Sequence, residues 1–110
     1  MQLHNIDVSP LQTLLARIKE RYQPMQIWLF GSRAKGSAAP SSDWDLFVVL
    51  PDDAPETLYD SRLAYEIQKD LKGVYADIIP CPVSNAREDW NVVNSLPHEI
   101  SRHGVLLYEH

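Results

Sequence analysis

The chain has 110 residues, of which 45% are hydrophobic and 23% are charged, and these proportions are ordinary for a globular protein. Ten basic residues against fifteen acidic ones give a formal net charge of -5, which argues against binding to an extended nucleic-acid backbone. The length predicts one domain over residues 1–110. We expect a cytoplasmic protein with no membrane segment, because the single cysteine permits no internal disulfide and neither a signal peptide nor a membrane-spanning apolar run is visible.

Segments with helical and strand patterns alternate along the chain. Apolar residues at helical spacing predict helices over residues 9–22, 56–72, 85–94 and 97–103. Short apolar and β-branched runs predict strands over residues 27–30, 45–50, 74–79 and 105–108. A turn or short helix over 32–36 and a loop over 37–42 are expected between the first two strands. Because helices and strands alternate, we expect an α/β layer fold.

Capping and breaking residues predict where these elements end. Ser9 is placed to cap the first helix, and Gly73 and Gly104 are placed to close the second and the last helix. Pro80 is expected to stop the third strand, because proline cannot donate to a strand ladder. The first strand, by contrast, is expected to end at Gly31, and the second is expected to begin at Asp45.

Two aspartates lie where the second strand begins. Asp43 and Asp45 are two residues apart, so their side chains project from one face about 6.5–7 Å apart, while Trp44 points into the core on the opposite face. Two carboxylates on one face repel unless a cation lies between them, and Mg²⁺ binds one or two carboxylates together with substrate phosphates. An Asp-x-Asp pair by itself is usually solvated surface. Its position at the mouth of an apolar strand favours a metal site.

A Gly-Ser pair ends the first strand. Gly31 lets the backbone approach a ligand closely, and the Ser32 hydroxyl and the amides that follow can donate to phosphate. Arg33 and Lys35 add positive charge at the same place. Taken alone, the pair is a plain turn and the two cations are a solvated face. With the aspartates on the next strand, the segment predicts a phosphate site beside a metal site.

Together these two segments resemble the signature of a known family. Residues 31–36 (Gly-Ser-Arg-Ala-Lys-Gly) and 42–46 (Ser-Asp-Trp-Asp-Leu) are similar to the Gly-Ser and Asp-x-Asp motifs of the DNA polymerase beta-like nucleotidyltransferase superfamily. The chain resembles most its minimal nucleotidyltransferase branch, from the first helix to residues 104–108. The resemblance implies the polymerase beta-like α+β fold, a small mixed β-sheet flanked by helices, and a metal-dependent nucleotidyltransferase activity.

The family's third carboxylate matches Asp77, the acidic residue of the third predicted strand. The resemblance implies that Asp43 and Asp45 hold two Mg²⁺ ions and that Asp77 completes the shell of the second ion and accepts a proton. If the second and third strands are neighbours, Asp77 stands about 5 Å across from the pair. Its alternative role is a strand-end aspartate that faces water.

The resemblance also implies a nucleotide site with ATP as the donor. Gly31, Ser32 and Ser42 would bind the β- and γ-phosphates, and Arg33 would add charge neutralisation. The nucleotide base is not read by any motif, so the preference for ATP is part of the resemblance alone.

The same branch implies an acceptor and a partner. The resemblance implies an antitoxin that transfers AMP to a tyrosine of a helical HEPN-domain toxin. No second domain is predicted here, so the acceptor must be held by another protein or by a dimer partner. Trp90, Val92 and Val93 are either a partner surface or ordinary core, and core is the expectation because helices of small domains bury an apolar stripe.

Two other functions stay open. The domain could nucleotidylate a small cationic molecule, as aminoglycoside-modifying relatives do, although 110 residues offer little wall for such a pocket. It could also be a catalytically silent module that binds a nucleotide or a toxin. The presence of the Gly-Ser pair and all three aspartates argues against the silent module.

Overall fold

The computed structural model describes residues 6–39 and 41–110, which form a mixed sheet with helices packed on it. The strands are β1 (Gln26–Phe30), β2 (Trp44–Leu50), β3 (Ala76–Pro82) and β4 (Val105–Glu109). The α-helices are α1 (Gln12–Tyr22), α2 (Gly31–Lys35), α3 (Ser61–Glu66), α4 (Val83–Asp89) and α5 (Leu96–His103), with 3-10 turns at Ser9–Leu11 and Glu56–Tyr59. The predicted α+β fold, a mixed sheet flanked by helices, is confirmed.

The strands lie in the order β3-β2-β1-β4. β1 pairs antiparallel with both β2 and β4, whereas β2 pairs parallel with β3. The parallel pair needs a long crossover, which the segment between β2 and β3 provides with α3. β2 is therefore a central strand with a neighbour on each side.

Alternation along β2 divides the core between the two faces of the sheet. One face carries Trp44, which is 3% exposed and lies in the core as predicted. The residues buried with it on that face include Leu46, Val48, Leu50, Ile27, Leu29, and Leu14 and Ile18 of α1. The other face buries Phe47, Val49, Ala86 of α4 and Ile100 of α5. Each buried aliphatic or aromatic side chain contributes about 1.5–3 kcal/mol to folding. By the same alternation, Asp45 lies on the second face of the sheet, together with Phe47 and Val49.

The predicted helix over 56–72 is wrong. A 3-10 turn and α3 replace it, because Asp60 has an extended backbone (ψ 126°) and its side chain accepts a hydrogen bond from the Arg62 N–H at 2.9 Å. α3 ends at Glu66, and the Gln68 side chain then bonds the Ala64 carbonyl and both backbone groups of Ala76. A local polar cap and a link to β3 thus outweigh helical periodicity.

Other boundaries differ for similar reasons. Ser9 does not cap the first helix; its N–H instead donates to the Asp7 side chain at 2.9 Å. β3 runs through Pro80 and Pro82 rather than stopping there, since β3 is an edge strand and needs donors on one side only. The helix predicted over 85–94 is α4, which begins and ends earlier.

The last helix ends as predicted at Gly104. Gly104 has an ordinary φ of -75°, but a Cβ there would lie 2.6 Å from the Ile100 carbonyl oxygen, so the tight passage into β4 requires glycine. Gly73 has a φ of 78°, but it lies within a turn and does not close a helix. Within the described part of the chain, none of the helices is long and apolar enough to cross a membrane.

We expect Asp60→Ala to lower the free energy of unfolding by about 1 kcal/mol, because it removes the side-chain cap of α3. Asp60→Asn is the matched control, since asparagine caps equally well and loses only the Arg62 ion pair, whose arginine side chain is 88% exposed. Urea denaturation measures both variants. Equal losses of unfolding free energy in the two variants would show that the ion pair, and not the cap, stabilises the start of α3.

Candidate functional site

The three predicted aspartates border one cleft at the end of the sheet. Asp45 is the second residue of β2 and is the direct register partner of Asp77 in the parallel strand β3. Partners on neighbouring strands lie about 5 Å apart. Asp43 directly precedes β2, and all three side chains line a cleft of about 900 Å³. The strand pairing therefore brings Asp77 beside the Asp43 and Asp45 pair, which the sequence placed on a different strand.

Electrostatics reflect this proximity. Partial burial, followed by the negative charges of Asp77 and Asp43, raises the pKa of the Asp45 carboxyl above its ordinary value. Asp43 and Asp77 are themselves exposed to solvent. A cation between the carboxylates would relieve the repulsion that burial strengthens.

Gly31 is fixed by its contact with Asp45. Its φ is 75°, a region that side-chain-bearing residues rarely adopt, and a Cβ on it would overlap the Asp45 Oδ2 atom. Phe30, the residue before it, is the register partner of Asp45 on β1. The turn from β1 into α2 is therefore built directly against the central carboxylate.

The rest of this turn is short and closed by backbone bonds. Ser32 follows Gly31 in the first turn of α2 and is partly exposed. Its carbonyl accepts a hydrogen bond from the Ser37 N–H at 3.0 Å, and Gly36 ends the helix with a φ of 76°. The Gly31-Ser32 pair thus begins α2 directly after β1, and β1 and β3 pair with opposite sides of β2.

Both cationic side chains of α2, Arg33 and Lys35, contact other residues of the chain. The Arg33 guanidinium donates to the Ser42 carbonyl oxygen from Nε at 3.2 Å and from Nη2 at 2.7 Å, and it lies 4.0 Å over the Trp44 ring. Lys35 forms an ion pair with Glu99 at 3.2 Å. The roles of Arg33 and Ser42 in binding phosphate stay predictions, and their mutual contact was not foreseen.

Sequence reasoning missed the outer wall of the cleft. Tyr65 and Tyr75 are each 64% exposed, too much for core residues, and they line the cleft with Gln68, Lys69 and Lys72. Strand alternation offered a signal for Tyr75, which is two residues before Asp77. No local pattern pointed to the others, because α3 and the turn after it reach the cleft only through the tertiary fold.

The late apolar residues divide between core and surface. Trp90 packs on Trp28 with ring centroids 5.5 Å apart, as expected for core. Val92 and Val93 are 49% and 68% exposed, so the expectation of core is wrong for them. Both valines lie between α4 and α5, outside either helix, where the helical stripe argument does not apply.

The three carboxylates have the oxygen donors of a magnesium site but do not form a closed cluster. Within residues 6–39 and 41–110, no three histidine, cysteine, aspartate or glutamate side chains converge as a pre-formed metal cluster. Asp43, Asp45 and Asp77 nonetheless share one cleft and interact electrostatically, and their donors are all oxygen. Mg²⁺ uses one or two carboxylates and takes its other ligands from phosphates and water. The residues therefore fit a metal whose coordination is completed by a bound nucleotide.

A family model and two solved structures are similar to this chain. The family model described as "Nucleotidyltransferase domain" matches residues 11–98. A crystal structure of a toxin-antitoxin with AMP-PNP has a TM-score of 0.64 and 19% identity, over 90% of this chain and 73% of that one. A candidate nucleotidyltransferase from Sulfolobus solfataricus has a TM-score of 0.48 and 14% identity, over 99% of this chain and 91% of that one. No curated protein is significantly similar in sequence.

We expect Gly31→Ala to weaken binding of Mg²⁺-ATP about 10- to 100-fold, because the added methyl group must displace the Asp45 carboxylate. Gly36→Ala is the matched control: Gly36 has nearly the same φ, but a Cβ there meets nothing within 4 Å. Isothermal titration calorimetry measures both. Equal weakening in both variants would assign the effect to backbone strain rather than to the carboxylate.

We expect Asp45→Asn to raise the melting temperature in metal-free buffer at pH 7. The raised pKa means that the folded state holds the Asp45 proton more tightly than the unfolded state does. Ionisation therefore costs stability at neutral pH, and this cost fades as the pH falls through the raised pKa towards the ordinary value of 3.8. Thermal unfolding from pH 7 to pH 4 measures the gain, with the exposed Asp53→Asn as control. A gain that does not shrink at low pH would refute this account.

Proposed function

Because the matched model spans most of its length, the chain belongs to the nucleotidyltransferase domain family, and we propose that it transfers AMP from ATP to a tyrosine hydroxyl of a HEPN-type toxin. The observation that carries the proposal is the placement of Asp45 between Asp77 on one side and Gly31 on the other. A phosphate-binding turn and an acidic site then share one carboxylate. This arrangement suits the transfer of a phosphate-linked group.

Each residue has a task in this proposal. Gly31, Ser32 and Ser42 bind the β- and γ-phosphates, and Arg33 is the candidate for neutralising their charge. Asp43, Asp45 and Asp77 would hold the two Mg²⁺ ions. Bound Mg²⁺ supplies charge neutralisation on the phosphates and lowers the pKa of the attacking hydroxyl.

Transfer then needs one proton acceptor. The acceptor oxygen forms a bond to the α-phosphorus, the bond to the pyrophosphate oxygen breaks, and the hydroxyl proton passes to Asp77. Asp77 suits this task because it is exposed and lies on the edge strand, which β2 separates from β1. Asp45 is central and half-buried, which suits a residue that holds position while its neighbours react.

The open cleft supports a protein acceptor. It extends from the carboxylates past the start of β3 to Tyr75 and to Tyr65 of α3, on the β3 side of β2. Its volume of about 900 Å³ leaves room for a side chain that enters from a partner surface. The similarity to a toxin-antitoxin with AMP-PNP supports both ATP as donor and a toxin as partner.

We expect the protein to label a HEPN-type toxin when it is incubated with α-phosphate-labelled ATP and Mg²⁺. Asp45→Asn and Asp77→Asn should each lower the rate at least about 100-fold, because each removes a charge that the transition state needs. Asp53→Asn, an exposed charge outside the cleft, is the control. Phenylalanine in place of the labelled toxin tyrosine should abolish labelling.

Two outcomes of this assay, run also with an aminoglycoside as acceptor, would contradict the proposal. Label on an aminoglycoside and none on the toxin would assign a small-molecule acceptor. Binding of ATP and toxin without transfer would assign a silent binding module.

A further inference from the structure

Asp43 is the one carboxylate of the three that lies outside the strand ladder. β2 begins at the next residue, Trp44, whose N–H donates to the Tyr75 carbonyl at 2.8 Å. Asp45 and Asp77, by contrast, are register partners inside the sheet. The position of Asp43 therefore depends on what holds the residues on either side of it.

Arg33 contacts both of those residues. Its guanidinium donates twice to the Ser42 carbonyl, at 3.2 Å and 2.7 Å, and lies 4.0 Å over the Trp44 ring. The Trp44 ring is a fixed platform because the residue is 3% exposed within the core. The Ser42 N–H also donates to the Ala39 carbonyl oxygen at 3.0 Å, which ties Ser42 to the preceding loop.

The same arginine belongs to the phosphate-binding turn. α2 begins with Gly31 and Ser32, so Arg33 is covalently adjacent to the pair that is proposed to bind phosphate. The guanidinium therefore links that turn to the two residues on either side of Asp43.

We propose that Arg33 is a positioning residue that holds the Asp43 carboxylate at a fixed distance from the phosphate-binding turn. The inference rests on the proposed role of Asp43 as a metal ligand, and it gives Arg33 a task beyond charge neutralisation. A planar guanidinium can donate twice to one carbonyl while it lies flat on an aromatic ring, whereas the ammonium of lysine cannot. Lysine at this position keeps the charge and loses the clamp.

The test measures Mn²⁺ binding in the absence of nucleotide, with electron paramagnetic resonance as the detection method. Arg33→Lys and Arg33→Met should both weaken Mn²⁺ binding about tenfold, because displaced supports of metal ligands have effects of this size. Arg21→Met removes an exposed arginine of α1 and should leave Mn²⁺ binding unchanged. Unchanged Mn²⁺ affinity in Arg33→Lys, with ATP affinity lowered only in Arg33→Met, would overturn the proposal in favour of a charge role.

A double-mutant cycle shows whether the effect passes through Asp43. In an Asp43→Asn background, Arg33→Lys should cause no further loss of Mn²⁺ affinity, whereas independent roles give additive losses and overturn the proposal. If the Arg33 variants fail to fold by circular dichroism, Trp44→Phe weakens the same stacking contact and should lower Mn²⁺ affinity in the same direction. These titrations need no acceptor, so they succeed or fail independently of the proposed AMP transfer.

Discussion

The parallel pairing of β2 with β3 sets one register in which Asp45 lies opposite Asp77 and Leu46 opposite Ile78. Side chains alternate between faces, so a slip of one residue would send Asp77 to the opposite face and expose the apolar residues of β3. The burial of Leu46 and Ile78 in the core therefore selects the register that brings the carboxylates together. The site depends on a hydrophobic constraint rather than on attraction between its own groups, which repel one another.

This repulsion has a functional consequence. Asp45 is held half-buried near two other acids by strands whose apolar residues are packed on both faces. Burial, followed by the charges of Asp77 and Asp43, raises the pKa of Asp45, and a cation between the carboxylates would relieve their repulsion. In the proposed reaction, a nucleotide would supply the further oxygen ligands that Mg²⁺ needs beside these carboxylates.

The two sides of Asp45 differ in character. Towards β1, the Gly31 turn is closed by backbone bonds and leaves no room for a side chain. Towards β3, the cleft is open and bordered by two exposed tyrosines, Tyr65 and Tyr75. In the proposed reaction, the constrained side would bind the nucleotide donor and the open side would receive the acceptor protein.

The local sequence by itself determined the strands, the Gly-Ser and Asp-x-Asp motifs and the burial of Trp44, because these depend on alternation and on residue chemistry within a few positions. Only the tertiary structure decided that β3 runs through Pro80, since this requires β3 to be an edge strand. It also decided that Asp60 breaks the long predicted helix and that Arg33 turns to Ser42 and Trp44. Each of these outcomes depends on which distant segments the fold places next to one another, and no periodicity within a segment carries that information.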